Sequence, residues 1–322
     1  MKKFDVVGLG ELLIDFTQNG LSEQGNGIFE ANPGGAVCNV LSMLSKLGKK
    51  TAFISRVGDD AFGRTLKAAA DEMGIDASAV STDPVIHTTL AMVNTLPGGD
   101  REFSFYRNPG ADMMLSPADL PEGMIGDTRI FHFGSVSLTD EPMRSATEKA
   151  VALAEAGGAM ITYDPNLREN LWKSLDEAKE EILWGMGHCS VLKISDNEIT
   201  WLTGEDDYTE GVKWIRARFD IPLILVSMGP EGSRAYYGDG YVEVKPFLQK
   251  DTIETTGAGD TFCACVINYV LENGLENLSE DMLREMLTFA NAAASIITTR
   301  RGALRVMPEK QEVEAFLKER GF

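Results

Sequence analysis

Residues 254–262 read Glu254-Thr255-Thr256-Gly257-Ala258-Gly259-Asp260-Thr261-Phe262 and open an apolar helical run over 261–271. The first N–H groups of a helix have no partner within it, and the helix dipole is positive there. Gly257, Ala258 and Gly259, with almost no side-chain bulk, are therefore placed to hold an anion such as a phosphate. No Gly-Lys-Ser/Thr follows, which excludes a Walker loop, and the spacing is not the Gly-x-Gly-x-x-Gly of a dinucleotide turn. Asp260 stands where that anion would dock, and two readings are open. It is a carboxylate capping the helix, or it accepts the proton of a hydroxyl that attacks a phosphoryl group. In phosphoryl transfer through a loose transition state the proton moves late, so a carboxylate near its ordinary pKa of ~3.9 suffices.

A second glycine segment, Asn32-Pro33-Gly34-Gly35-Ala36-Val37-Cys38-Asn39, also enters a helix. Gly34 and Gly35 either let a ligand touch bare backbone or simply make a tight turn. Asn39, about one turn in, offers an amide donor and acceptor, and Asp15 follows the first strand. Carboxylate, amide and main chain together suit a sugar, whose fixed hydroxyls need several paired hydrogen bonds. The histidines His87, His132 and His188 have no triad or metal spacing. Cys38, Cys189, Cys263 and Cys265 form no Cys-x-x-Cys, so neither a zinc site nor a disulfide framework is indicated.

The elements that must position these residues alternate along the chain. Strand patterns at 4–8, 51–57, 159–163, 191–194 and 223–226 alternate with helical spacing at 37–47, 61–72, 150–156, 175–186, 212–219 and 261–271. Such alternation predicts a mostly parallel sheet sandwiched by helices. Residues 12–30 and 88–107 break the rhythm with β-type runs, the second split by a hairpin turn at 96–100. They are expected to form a small β-sheet on the edge of the main one, serving as a lid or as a plain edge hairpin. No repeat or linker divides residues 1–322, so a single domain is expected.

Hydrophobic residues are 43% and charged residues 25% of the 322, which excludes global disorder. A chain of this length buries ~75% of its extended surface and needs no disulfide or structural metal to fold. The net charge of −19 argues against nucleic acid or anionic membrane as a partner. It leaves open a small anion held by backbone amides. No apolar run reaches ~18 residues, and the first residues hold no signal-peptide pattern, so a cytoplasmic protein is expected.

Residues 34–39 and 255–260, with Val57-Gly58-Asp59-Asp60-Ala61-Phe62-Gly63 between them, resemble the signatures of the ribokinase-like (PfkB) carbohydrate kinases in order and spacing. The similarity runs from about residue 4 to 308. It implies a ribokinase-like α/β fold with a β-sheet lid, Asp260 as catalytic base, and Gly257, Ala258 and Gly259 as the anion hole. Within the family, residues 105–112 (Phe-Tyr-Arg-Asn-Pro-Gly-Ala-Asp), 163–168 (Tyr-Asp-Pro-Asn-Leu-Arg) and 131–135 are similar to fructokinases. That implies transfer from ATP to the 6-hydroxyl of D-fructose, with Mg²⁺. The 2-keto-3-deoxygluconate kinases share Asp-Pro-Asn-x-Arg but usually lack the counterpart of Asp112. A catalytically silent sugar-binding regulator on the same fold is a third reading.

The resemblance implies that Asp15, Gly34, Gly35, Asn39, Arg107 and Arg168 hold the sugar. By their chemistry alone, a second reading stays open for both arginines, an ion pair with a surface carboxylate in so acidic a chain. It places Lys193, Ser227, Gly229, Gly232 and Asn291 at ATP, with Ala292 and Ala294 read as close helix packing. Glu198 would act on Mg²⁺ through water; Ser195 stands where the family commonly has Asn. Glu254 stands where the family usually has Asp, in a loop that with residues 299–303 often helps hold a monovalent cation such as K⁺. Glu254 either keeps that role by its carboxylate or leaves it to main-chain ligands. A homodimer through the lid strands is also implied.

Overall fold

The computed structural model describes residues 2–95 and 101–322; the turn expected at 96–100 lies outside the described residues. In chain order, strands β1 (Phe4–Leu9), β2 (Leu13–Leu21) and β3 (Gly27–Gly34) lead to helix α1 (Ala36–Lys46), β4 (Thr51–Gly58) and α2 (Ala61–Glu72). Two short strands, β5 (Ile75–Asp76) and β6 (Val80–Asp83), precede β7 (Leu90–Thr95), β8 (Arg101–Tyr106) and α3 (Glu122–Gly126). Then follow β9 (Thr128–Gly134), α4 (Met143–Ala156), β10 (Met160–Asp164), α5 (Leu175–Met186), β11 (Val191–Ser195), α6 (Asp196–Thr203) and α7 (Tyr208–Arg216). The chain closes with β12 (Leu223–Ser227), β13 (Ser233–Tyr237), β14 (Gly240–Val244), α8 (Ala258–Asn273), α9 (Glu280–Ile297) and α10 (Lys310–Glu319).

The main sheet runs β14-β13-β12-β11-β10-β9-β1-β4-β5, with β6 also on β4. It is parallel from β12 to β5, and the β13–β14 hairpin adds an antiparallel edge. Period-two alternation divides the core between its faces. On β12, Leu223 and Leu225 belong to the same core as α1, α8 and α9, whereas Ile224 and Val226 belong to the core that holds α4, α5 and α7. Both faces are thus covered, as the unbroken apolar strand runs require.

Several boundaries differ from the sequence expectation. Helix α4 starts at Met143, directly after Pro142, because its polar first two turns hide the apolar period that begins near Ala150. Helix α7 starts at Tyr208, where Asp207 accepts from the N–H groups of Thr209 and Glu210, and it ends at Arg216 rather than at 219. The β13–β14 hairpin escaped the alternation because it has no crossover helix.

The irregular stretches build a separate sheet, β3-β2-β7-β8. Its central pair, β2 and β7, is parallel (Asp15 opposite Ala91), and each has an antiparallel outer neighbour. The order β9-β1-β4 places a switch point at β1, where the chain leaves to opposite sides, and ligands gather at the carboxyl ends of strands there.

Candidate active site

Beyond Leu9 the chain runs through Glu11 into β2 and carries Asp15 onto the small sheet. A cavity of about 270 Å³ lies between that sheet and the carboxyl ends of the main strands. Asp15, Gly35, Asn39, Arg107, Arg168, Gly257, Gly259 and Asp260 line it together, although they are scattered over 245 positions from residue 15 to residue 260. Gly34 does not line it but makes room for it: a Cβ there would lie 2.5 Å from Asp15 Oδ2. Gly35, at φ 127°, is required outright, since its Cβ would lie 2.3 Å from the Glu11 carbonyl oxygen.

Helix α8 begins at Ala258 after Gly257, whose φ of 76° is left-handed backbone that favours glycine. A Cβ on Gly257 would meet that of Ala303 at 2.9 Å. Asp260 does not cap this helix. It sits within the first turn, and its Oδ2 accepts from Asn39 Nδ2 at 2.8 Å. Of the three amides expected to converge, that of Ala258 already donates to Thr255 O at 3.2 Å.

Burial raises the pKa of Asp260, opposed by the Asn39 hydrogen bond and by the charges of Lys193 and Arg168. Burial pushes Asp15 up to about 7 against the pull of Arg168. Burial also raises Glu11, which lines the same cavity and accepts from Ala36 N at 2.7 Å. Three carboxylates thus share one desolvated space.

Lys193, expected at the nucleotide, lines this first cavity. Its Nζ lies 3.0 Å from Asp164 Oδ2, with side-chain exposures of 8% and 6%. Burial would strip its proton, but Asp164 and Glu198 outweigh that and hold Lys193 charged. Arg107 is less free than its sequence position suggests. It pairs with Asp112 at 2.7 Å and donates to Thr139 Oγ1 at 2.8 Å and to Val136 O at 3.2 Å. Arg168 donates to Leu167 O at 3.1 Å and pairs with no carboxylate among the described residues.

A second cavity of about 420 Å³ is lined by Ser227, Gly229, Gly232 and Asn291 together with Phe247, Ala258 and Phe262. The two cavities share Thr255 and Gly259, so they meet at the glycine turn. Asn291 is committed to structure: its Oδ1 accepts from Ser233 Oγ at 2.9 Å, and its Nδ2 donates to Val244 O at 3.2 Å. Ala292 is buried in the core as expected, whereas Ala294 also lines the second cavity.

Glu198 and Ser195 form a capping box on α6, and the other Glu198 oxygen accepts from Leu167 N at 2.6 Å. Among the described residues no three His, Cys, Asp or Glu side chains converge as a metal set. A cation such as Mg²⁺, which keeps several waters and is held largely by phosphates, asks for few protein donors. Glu254 is buried and accepts from Gly302 N at 2.9 Å, which joins the two loops expected around a monovalent cation.

Sequence reasoning gave no role to Glu11, Leu13, Phe105, Val136 and Leu171, which also line the first cavity. Asn166, another of its lining residues, was quoted only within a motif. Its φ of 47° is uncommon outside glycine and marks a built turn. Aliphatic and aromatic linings such as Leu13 and Phe105 give no sequence signal that separates them from core.

The arrangement can bring a hydroxyl to a carboxylate beside amides and an ammonium group that favour an anion. A profile of the pfkB family carbohydrate kinase matches residues 3–310. Fructokinase-1 of Zea mays is 39% identical over 310 residues, covering 96% of this chain and 96% of that protein. Fructokinase from Vibrio cholerae O395, crystallised with fructose, ADP and calcium ion, superposes with a TM-score of 0.86 at 29% identity, covering 98% and 99% of the two chains. Fructokinase from Xylella fastidiosa with bound ATP gives a TM-score of 0.90 at 26% identity over 99% of each chain.

Proposed function

The chain belongs to the pfkB family of carbohydrate kinases, and from that footing we propose that it transfers the γ-phosphoryl group of ATP to the 6-hydroxyl of D-fructose. The observation that carries this reading is the meeting of two cavities at Thr255 and Gly259, with Asp260 lining the smaller. Fructose occupies the cavity of Asp15, and ATP the cavity of Ser227, Gly229, Gly232 and Asn291.

Asp260 takes the proton of the attacking hydroxyl. Asn39 holds its Oδ2, which leaves Oδ1 for the substrate. The amides of Gly257 and Gly259, with the charged Lys193, stabilise the transferring group, and that of Ala258 joins them on leaving Thr255 O. Asp15, the backbone of Gly35, Asn39, Arg107 and Arg168 hold the sugar, and Gly34 keeps the space beside Asp15 open. Bound Mg²⁺ would neutralise phosphate charge, with Glu198 as the chain's contact through water. Glu254 has one carboxylate oxygen left for a monovalent cation such as K⁺ after binding Gly302 N. The small sheet acts as a lid that excludes water from the transfer.

Residues 1–322 act as one domain in this reading. A homodimer through the lid strands is supported by Leu21 and Ile28, which are 65% and 45% exposed on that sheet. No helix among the described residues is long and apolar enough to cross a membrane. We place the enzyme in the cytoplasm, acting on a small sugar without nucleic acid or membrane.

The acidic lining favours a neutral sugar over a sugar acid: Glu11, Asp15 and Asp260 face a cavity in which Arg107 and Lys193 are already paired, so that Arg168 stands against three carboxyl groups. A coupled assay with ATP and Mg²⁺ comparing fructose with 2-keto-3-deoxygluconate tests this. A higher kcat/KM for fructose is expected. A higher value for the keto-acid contradicts it, and binding of both ligands without turnover would make the chain a silent regulator.

A further inference from the structure

We propose that Asp112 is a positioning residue that pins the base of the lid, and that this pin couples ATP consumption to sugar phosphorylation. The proposal rests on the sugar-kinase reading above. It starts from register: Leu90 of β7 faces Tyr106 of β8, so Thr89 and Arg107 are the next positions out, where the hairpin joins the main body. Both side chains end on one buried carboxylate. Thr89 Oγ1 donates to Asp112 Oδ1, and Arg107 Nε donates to Asp112 Oδ2 at 2.7 Å. Asp112 is 1% exposed and Thr89 also 1%, so water cannot substitute for either bond.

Asp112 is itself fixed to the body. It lies in the short 3-10 turn Ala111–Met114, and Ala111 N donates to His87 O at 2.9 Å. Gly110 is needed for the approach, since a Cβ there would run into the Thr89 hydroxyl oxygen. A second carboxylate holds the adjoining residue: Asp60 accepts from Thr88 N at 2.8 Å while capping α2 through Gly63 N at 2.8 Å. Hence the Gly58-Asp59-Asp60 segment serves the lid without reaching the cavity.

The arrangement also limits what Arg107 can give the sugar. Of its five N–H groups, Nε and one on Nη2 face Asp112, the other Nη2 group donates to Val136 O, and one on Nη1 donates to Thr139 Oγ1. One Nη1 N–H remains among the described residues. Arg107 is then chiefly a strut from the lid to the cavity wall at Val136, and Asp112 sets its place.

The experiment compares wild type with Asp112→Asn, in which an amide N–H meets the guanidinium donors. It measures KM for fructose, kcat, and ATP hydrolysed per sugar phosphorylated. The expected result is a folded enzyme with a raised KM for fructose, as expected when a positioning contact is lost, and a ratio of ATP used to product made that rises clearly above one. Wild-type KM and coupling in folded Asp112→Asn would overturn the proposal. If Asp112→Asn does not fold, Thr89→Val and Thr89→Ser decide. Uncoupling in the valine variant with recovery in the serine variant supports the pin, and full coupling in both overturns it. A wild-type enzyme inactive on every sugar tested would instead overturn the kinase reading itself.

Discussion

Asn39 Nδ2 donates to Asp260 Oδ2 across 2.8 Å, joining residues 221 positions apart in the chain. One lies on α1 after the first glycine turn and the other on α8 after the second, so this bond ties the two glycine segments into one site. Among the described residues it leaves Asp260 Oδ1 without a hydrogen-bond donor.

Asp15 makes stability depend on pH in a definite direction. Burial raises its carboxyl from 3.8 to about 7 in the folded protein. Between those values the folded state keeps a proton that the unfolded chain has released. Stability is therefore present below the unfolded value and falls as pH rises towards 7. Asp15→Asn lacks this term. Its melting temperature should exceed that of wild type at pH 8, and the gap should close as pH falls through 7 towards 4. A gap independent of pH would contradict the assignment. The same variant should raise KM for fructose.

Lys193 and Asp164 form a buried pair at 3.0 Å. Lys193→Met leaves a carboxylate without its partner, which costs about 3–5 kcal/mol where a buried pair is broken on one side. The double variant Lys193→Met/Asp164→Asn should regain much of that loss in denaturant unfolding. Additive losses would show that the pair is not coupled. Both variants should also lower kcat, because Lys193 lines the cavity beside Asp260, where the phosphoryl group is transferred.

Gly257 is the tightest backbone requirement of the anion turn. Gly257→Ala forces φ of 76° on a residue with a Cβ and brings that Cβ to 2.9 Å from Ala303. The left-handed conformation alone costs roughly 1–2 kcal/mol. A lower melting temperature with a raised KM for ATP is expected in thermal and steady-state measurements, and an unchanged KM would remove the turn from the nucleotide site.

Much of this was legible from residue types. The alternation of β and α patterns gives the layered sheet, and helices α2 and α5 fall where apolar spacing places them. The two glycine segments are visible because glycine answers a backbone need that other residues meet badly. What sequence hid was partnership. Nothing in the residue order says that Asn39 would bind Asp260, that Lys193 would face the sugar side, or that Arg107 would be committed to Asp112. Each of those depends on contacts between distant segments, and Glu11 looked like any polar residue until the fold enclosed it.

The most direct test of the central claim is turnover of Asp260→Asn with fructose, ATP and Mg²⁺, alongside calorimetry of fructose binding. The substitution keeps the size of the side chain and removes the proton acceptor. Loss of a general base predicts a fall in kcat of roughly 10²–10⁴-fold, with fructose affinity close to that of wild type. Wild-type kcat in this variant would contradict the assignment of Asp260 as the group that takes the proton.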